Sequence, residues 1–191
     1  MVRTRVGYAG GTKADPTYRR IGDHTETFQV DFDPDVIGLA ELLDVFWASH
    51  PSTSRQWSTQ YAHMAFWSDE PQRAAIESSR ARVEEALPEG ARVTTYVRPL
   101  ERFYVAEDYH QKYYLRSDKT LMRDFGAMYP DAAGFRESTA AARANGYLGG
   151  GGRASVLLAE IDSYGLSAEG RGELLGRAGM SSSAGCGIQD G

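Results

Sequence analysis

Three side chains in the first third of the sequence could hold and protonate a polar oxygen atom: Tyr18, Glu26 and Tyr61. A glutamic acid that burial keeps protonated can donate a proton, and two phenol hydroxyls can act as paired donors to one oxygen. Each residue also has a plainer interpretation. Charged side chains are mostly solvated, so Glu26 can be an edge carboxylate. Tyrosines more often pack in a core with a satisfied hydroxyl. Taken singly, these residues do not decide between the two interpretations.

The histidines and the cysteine are candidates for supporting roles. We expect His24 and His110 to orient other groups or to be structural, although His110 could equally be a histidine on a surface helix. The sequence has four histidines and one cysteine, and their wide spacing does not form a recognisable metal site. We predict neither a metal nor an organic cofactor. The pair Gly10-Gly11 lacks the spacing and the lysine of a nucleotide loop, so we predict a turn there.

Composition restricts the class of protein. The chain has 191 residues with 21 basic and 26 acidic side chains, a formal net charge of −5. Nucleic-acid binding needs basic clusters and none stands out, so we expect no nucleic-acid partner. No apolar run approaches the roughly 20 residues of a membrane span, and the first residues lack the apolar segment of a secretory signal. One cysteine rules out an internal disulfide framework and fits a cytoplasmic protein.

Hydrophobic patterns predict the elements that position the candidates. Alternation of apolar and polar residues, clearest where Phe28, Val30 and Phe32 alternate with polar residues, predicts half-buried strands. An apolar stripe with helical spacing over residues 39–47 predicts a helix. The predicted strands are 3–8, 28–32, 61–67, 92–97 and 103–105, and the predicted helices are 39–47, 70–87 and 108–115. Because strands and helices alternate, we predict an α+β fold, a two-layer α/β sandwich.

The character of the chain changes after residue 116. We assign residues 1–116 to one domain, residues 117–180 to a C-terminal helical extension and residues 181–191 to a flexible tail of small and polar residues. Within the extension, the four consecutive glycines at 149–152 predict a flexible segment.

Consecutive motifs over residues 2–116 resemble, in order and spacing, those of the A-type methionine sulfoxide reductases, the peptide-methionine (S)-S-oxide reductases. The motifs are Val6-Gly7-Tyr8-Ala9-Gly10-Gly11, Asp15-Pro16-Thr17-Tyr18, Gly22-Asp23-His24-Thr25-Glu26, Gln29-Val30-Asp31-Phe32-Asp33-Pro34, Leu42-Leu43-Asp44-Val45-Phe46-Trp47 with His50, Arg55-Gln56 with Gln60-Tyr61, and residues 103–113 from Phe103 to Tyr113. One such motif would be weak evidence, whereas the ordered set is specific.

The resemblance implies a mechanism and a fold. A cysteine thiolate attacks the sulfur of methionine-S-sulfoxide, Glu26 as general acid protonates the departing oxygen, and the hydroxyls of Tyr18 and Tyr61 hold that oxygen. The substrate is free or protein-bound methionine sulfoxide, and thioredoxin is the reductant. The implied fold is ferredoxin-like, with a mixed sheet and helices on one side. Glycine-rich tails in the family often carry a resolving cysteine, so Cys186 is either a resolving thiol or a passive exposed one.

Two departures from the family pattern bear on these expectations. The Gly-Cys-Phe-Trp-Gly segment with the nucleophile, and the family's first strand and helix around it, are not in the printed sequence. Either the start is misplaced or the chain is a degraded homologue, and we expect the first because loss of an inner strand would leave neighbouring backbone groups unpaired. In the loop before Tyr61, Gln56 stands where many members have an aspartate.

Two alternatives to an enzyme are open. The chain could be an inactive module that binds sulfoxides, or a purely structural domain.

Overall fold

The computed structural model describes residues 1–184 of the chain. These residues form strands and helices of an α+β protein, as the sequence predicts. They divide into two compact units, one of residues 6–107 and one of residues 1–5 together with the described chain from residue 108 onward. Within the described residues, no helix is both long enough and apolar enough to cross a membrane.

The unit of residues 6–107 contains two small sheets. Strand β1 (Arg3–Ala9) lies between β2 (Thr25–Asp31) and β5 (Phe103–Val105). It pairs antiparallel with β5, with Tyr8 opposite Tyr104. Strands β3 (Met64–Trp67) and β4 (Tyr96–Pro99) pair in parallel as a separate ladder. The structure therefore has one sheet of β2, β1 and β5 and a separate parallel pair of β3 and β4. The family resemblance implied a single mixed sheet.

Two helices pack on the parallel pair and form the core of this unit. Helix α1 (Leu39–Ala48) has the predicted stripe and buries Leu43 and Trp47. Helix α2 (Glu70–Glu85) begins at Asp69, whose carboxylate accepts a hydrogen bond from the Gln72 amide, a standard N-cap. The buried core residues are Leu43, Trp47, Ala65, Ile76 and Val93. The Trp47 indole N–H donates to Ser79 Oγ at 2.9 Å, which satisfies a buried polar group in the α1–α2 contact.

Some predicted elements differ from the structure for identifiable reasons. Residues Thr59–Tyr61 form a 3-10 turn, η1, capped by Ser58, so β3 starts later than predicted. Strand β4 is shorter than the predicted strand 92–97, because the Thr94 amide donates to the Ser52 carbonyl of a loop instead of to a neighbouring strand. The predicted buried face of β2 is also wrong at Phe28, whose side chain is 62% exposed.

The other unit is a helical bundle with its own core. Its helices are α3 (Tyr113–Arg116), α4 (Lys119–Met128), α5 (Ala132–Glu137), α6 (Thr139–Leu148), α7 (Ala154–Glu160) and α8 (Ala168–Ala184). Side chains of Asp118, Asp131 and Ser138 cap the first turns of α4, α5 and α6. Helix α8 continues four residues into the segment predicted as a flexible tail, and residues 185–191 lie outside the described residues.

The core of the bundle combines apolar packing with one satisfied polar network. Leu115, Leu121, Phe125, Leu157 and Leu174 are fully buried at its centre. Beside them, the Glu160 carboxylate accepts hydrogen bonds from the hydroxyls of Tyr147 and Tyr164 and pairs with Arg143. Burial raises the pKa of both phenols. This network joins α6 to α7 and to the 3-10 turn Ile161–Tyr164, so the region after residue 116 is a packed structure and not a loose extension.

A buried lysine anchors the first residues of the chain in the bundle. Lys112 is 3% exposed. Its ammonium donates to the Thr4 carbonyl at 2.6 Å, to Thr4 Oγ1 at 3.1 Å and to the Arg136 carbonyl at 2.9 Å. Burial lowers the pKa of Lys112 to about 8, although the nearby Glu137 carboxylate opposes that shift. The charged form of this lysine is therefore less favourable in the folded chain than in the unfolded chain.

We expect this burial to make stability rise with pH. The folded chain releases the Lys112 proton near pH 8, whereas the unfolded chain keeps it up to about pH 10.5. The free energy of unfolding should therefore increase between these two values, by on the order of 2 to 3 kcal/mol. Urea denaturation from pH 7.5 to 10 of the wild-type chain and of Lys112→Met would measure the effect, and the variant should lose the rise. Exposed Lys119→Met is the control. Equal pH slopes in the wild type and Lys112→Met would refute the assignment.

Candidate functional site

Tyr18, Glu26 and Tyr61 lie together in the unit of residues 6–107. The hydroxyls of Tyr18 and Tyr61 are hydrogen bonded, and this contact is the main cause of a raised pKa of Tyr61. The negative charge of Glu26 raises the pKa of Tyr61 further, which places the carboxylate within electrostatic range of the phenol pair. Tyr18 is 39% exposed and Tyr61 is 48% exposed. The three groups therefore form an open cluster that a ligand can reach from solvent.

Glu26 and Tyr61 are brought together by hydrogen bonds between β2 and η1. The Thr25 hydroxyl donates to the Thr59 carbonyl at 2.8 Å. In the next pair, the Gln60 side-chain amide donates to Glu26 Oε1 at 2.7 Å. Thr25 and Glu26 are consecutive residues of β2, and their partners Thr59 and Gln60 are consecutive residues of η1. The two hydrogen bonds therefore fix the register of η1 against β2. Tyr61, the next residue, is thereby directed toward the acid.

Tyr18 is positioned by a different carboxylate, that of Glu107. The Tyr18 backbone amide donates to Glu107 Oε1 at 3.0 Å, and the Tyr8 hydroxyl donates to Glu107 Oε2 at 2.6 Å. Tyr8 is 1% exposed on β1, so this pairing ties the Tyr18 segment to the sheet. Tyr18 lies in a tight turn closed by the Arg20 amide donating to the Thr17 carbonyl. Sequence analysis did not single out Glu107, which was included only as part of a motif that resembles the family.

His24 is buried beside the loop that follows Gly10, and its predicted supporting role stays a prediction. It is 1% exposed. Its Nδ1 accepts from the Gly11 amide at 3.1 Å and its Nε2 lies 2.7 Å from the Lys13 carbonyl, so the neutral Nε2–H tautomer satisfies both contacts. Asp23 accepts from the Thr12 amide and hydroxyl and from the Lys13 amide, which lowers the pKa of Asp23 to about 2. Together these residues hold the loop after Gly10, where the chain turns with a positive φ of 81°.

The remaining predicted residues lie elsewhere. His110 belongs to the 3-10 turn Asp108–His110 of the helical unit, with its ring 4.2 Å from that of Tyr109. Cys186 lies outside the described residues. Gln56 lies 3.4 Å from His63 through its amide nitrogen, so in this structure it contacts a histidine. Among the described residues, no group of three or more His, Cys, Asp and Glu side chains could hold a metal ion.

The cluster can offer hydrogen bonds to an oxygen acceptor. The phenol hydroxyls supply donors, and the carboxyl group supplies one when it is protonated. A separate cavity of about 370 Å³ between α1 and α2 is lined by Asp44, Trp47, Ser79, Arg82, Val83, Ala86 and Leu87. None of these residues belongs to the cluster.

Comparison with known proteins gives a consistent result. Residues 1–137 match the family model described as "Peptide methionine sulfoxide reductase". The chain is 40% identical over 169 residues to a Drosophila melanogaster protein named peptide methionine sulfoxide reductase, covering 87% of this chain and 67% of that protein. It is 46% identical over 123 residues to MsrA of Methanothermobacter thermautotrophicus, covering 59% of this chain and 72% of the relative. The Drosophila match is longer than the region of the family model, so it extends into the helical unit.

A solved structure supports the fold. Mxr1 from Saccharomyces cerevisiae in reduced form is 28% identical, with a TM-score of 0.54, over 60% of this chain and 70% of that one. An Arabidopsis thaliana protein named peptide methionine sulfoxide reductase A5 is 38% identical over 152 residues, 77% of this chain and 59% of the relative. The chain thus spans between three fifths and two thirds of the length of the Arabidopsis and Drosophila proteins.

The contact of Glu107 with Tyr8 is testable through stability. Replacement of Glu107 by alanine removes the acceptor of a buried hydroxyl, so we expect Glu107→Ala to destabilise the chain by about 1–3 kcal/mol. Tyr8→Phe removes the donor, and the double variant should be less destabilised than the sum of the two single variants. Urea unfolding of the four proteins measures this coupling. Strict additivity would show that the two side chains do not interact.

Proposed function

The chain belongs to the peptide methionine sulfoxide reductase family, and we propose that the protein reduces methionine-S-sulfoxide, free or within proteins, to methionine through a cysteine thiol. The observation that carries this proposal is the convergence of Tyr18, Tyr61 and Glu26. A sulfoxide oxygen is a strong uncharged acceptor, and these three groups are donors suited to it. The same residues occupy the oxygen-binding and acid positions that the motifs imply.

In the proposed reaction, a thiolate sulfur attacks the sulfoxide sulfur. Glu26 gives its proton to the sulfoxide oxygen, and the sulfur–oxygen bond of the substrate breaks as the resulting hydroxyl group passes to the enzyme sulfur. The transient sulfur–sulfur bond breaks at the same time, with its electron pair going to the methionine sulfur, and the enzyme sulfur is left as a sulfenic acid. Methionine leaves. A second thiol then attacks the sulfenic acid to form a disulfide and releases water. A dithiol reductant, for which we propose thioredoxin, reduces the disulfide. The sum is methionine sulfoxide plus dithiol giving methionine, disulfide and water.

The geometry supports assigning different roles to the phenols and the acid. The two hydroxyls can hold the oxygen in the substrate, where it is uncharged. As the thiolate attacks, that oxygen becomes basic, and proton transfer from a positioned acid then stabilises the transition state more than the bound substrate. The exposure of Tyr18 and Tyr61 is compatible with a methionine side chain entering from a polypeptide as well as with free methionine sulfoxide.

Two further parts of the proposal concern the thiols and the cell compartment. The sequence contains one cysteine, Cys186, for which we keep the role of a resolving thiol as a proposal. The nucleophile would come from a Gly-Cys-Phe-Trp-Gly segment of the kind that family members carry. We propose action in the cytoplasm, where thiols stay reduced.

Sulfoxide binding by this chain tests the oxygen site without any redox step. We expect the NMR signals of Tyr18, Glu26 and Tyr61 to shift on titration with N-acetyl-methionine-S-sulfoxide amide, and to shift less with the R epimer. Tyr18→Phe and Tyr61→Phe should each weaken binding by about 2- to 10-fold, because each removes one hydrogen bond. Tyr129→Phe, in the helical unit, is the matched control. No shift at the three residues would exclude this oxygen site.

Turnover tests the acid and separates an enzyme from a binding module. We expect reduction of methionine-S-sulfoxide with dithiothreitol when the chain is joined to a Gly-Cys-Phe-Trp-Gly segment from a relative, and none by the chain alone. In the joined protein, Glu26→Gln should slow the reaction about 10²- to 10⁴-fold at neutral pH, and exposed Glu101→Gln should not. An unchanged rate in Glu26→Gln would contradict the acid role. Binding without turnover in the joined protein would indicate a sulfoxide-binding module.

A further inference from the structure

We propose that Gln60 is a positioning residue for Glu26, which holds one carboxyl oxygen so that the other carries the proton toward Tyr18 and Tyr61. The effect of Gln60 on the reaction rests on the proposed function, because it concerns proton transfer from Glu26 to a sulfoxide oxygen. The structural basis of the positioning role is the 2.7 Å hydrogen bond from the Gln60 amide nitrogen to Glu26 Oε1.

Gln60 is itself held in place, so it can orient its neighbour. Its backbone amide donates to Ser58 Oγ at 3.2 Å, within the capped turn η1. The preceding residue, Thr59, accepts from the Thr25 hydroxyl at 2.8 Å. Because Thr25 is 2% exposed, this contact is part of the interior and not a surface contact. The Gln60 side chain therefore extends toward Glu26 from a backbone that hydrogen bonds hold at Thr59 and at Gln60 itself.

The chemical consequence follows from the donor on Oε1. A carboxyl oxygen that accepts a hydrogen bond from an amide favours being the unprotonated oxygen, so the acidic hydrogen is placed on Oε2. After Glu26 gives up its proton, the carboxylate accepts the same hydrogen bond as a charged group, and such bonds are roughly twice as strong as neutral ones. The hydrogen bond from Gln60 therefore strengthens as the proton leaves Glu26. An interaction accelerates a reaction only if it is stronger in the transition state than in the bound substrate, and this hydrogen bond meets that condition.

A second glutamine in the same loop provides the comparison. Gln56 is also half-buried and lies four positions before Gln60, but its amide nitrogen is 3.4 Å from His63 and does not contact Glu26. A general effect of removing a loop glutamine should appear equally in both variants. An effect on the Glu26 carboxyl should appear only when Gln60 is changed.

The experiment is a direct ¹³C NMR titration of the Glu26 side-chain carboxyl in the full chain, between pH 3 and 8. Gln60→Met keeps the length of the side chain and removes the donor, so we expect the proton affinity of the Glu26 carboxyl to rise about tenfold, the equivalent of one charged hydrogen bond of about 1.4 kcal/mol. Gln60→Glu puts a second carboxyl against the first and should raise it further. Gln56→Met should match the wild type.

The outcomes separate this inference from the proposed function. An unchanged Glu26 titration in Gln60→Met overturns the positioning role, and Gln60→Glu gives the same test if the methionine variant does not fold. Binding of N-acetyl-methionine-S-sulfoxide amide is measured on the same samples as the test of the proposed function. If the wild-type chain does not bind the sulfoxide, the proposed function fails, whereas the titration still decides whether Gln60 controls the carboxyl.

Discussion

The hydrogen bonding of the turn Thr59–Tyr61 to the start of β2 is the constraint on which the candidate site depends. Thr25 bonds Thr59 and Glu26 bonds Gln60, so two successive residues of a strand are matched to two successive residues of a turn. A shift of one residue in either segment would break both contacts, and a shift in the strand would also turn the carboxyl to the other face of the strand. The position of Tyr61 relative to the acid follows from this register.

Local periodicity predicted the elements that bury a simple apolar face. Helix α1 and strands β1 and β5 lie where the pattern places them. The boundaries that failed depend on contacts between distant segments, as for Thr94, whose amide bonds Ser52. The helices after residue 116 were underestimated because their apolar residues are sparse, although Asp118, Asp131 and Ser138 are N-cap residue types that mark helix starts. A search for caps would have found these three boundaries.

Sequence analysis indicated some residues of the candidate site and missed others, because the missed residues also depend on contacts between distant segments. The sequence indicated Tyr18, Glu26 and Tyr61 only through the ordered motifs, since each residue alone has a common structural use. The structure adds Gln60 and Glu107, which act through side-chain contacts across 34 and 89 positions of the chain. No spacing rule relates residues so far apart, because their proximity is a product of the fold. The supporting role of His24 stays a prediction, and the structure shows that its ring contacts the loop at Gly11 and Lys13.

The charge balance of the cluster restricts what can bind there. The hydrogen bond with Tyr18 and, to a smaller extent, the negative charge of Glu26 raise the pKa of Tyr61, so the phenol keeps its proton and remains a donor at neutral pH. An anionic ligand would be repelled by the same carboxylate when it is ionised. A cationic ligand would offer no acceptor to the phenol hydrogen that is not used in the hydrogen bond between Tyr18 and Tyr61, at the cost of an unmade hydrogen bond. An uncharged ligand with a strongly accepting oxygen avoids both penalties, and it becomes a better partner for the acid as negative charge develops on that oxygen. A sulfoxide has these properties, which is why donors that are individually ordinary become selective when they converge.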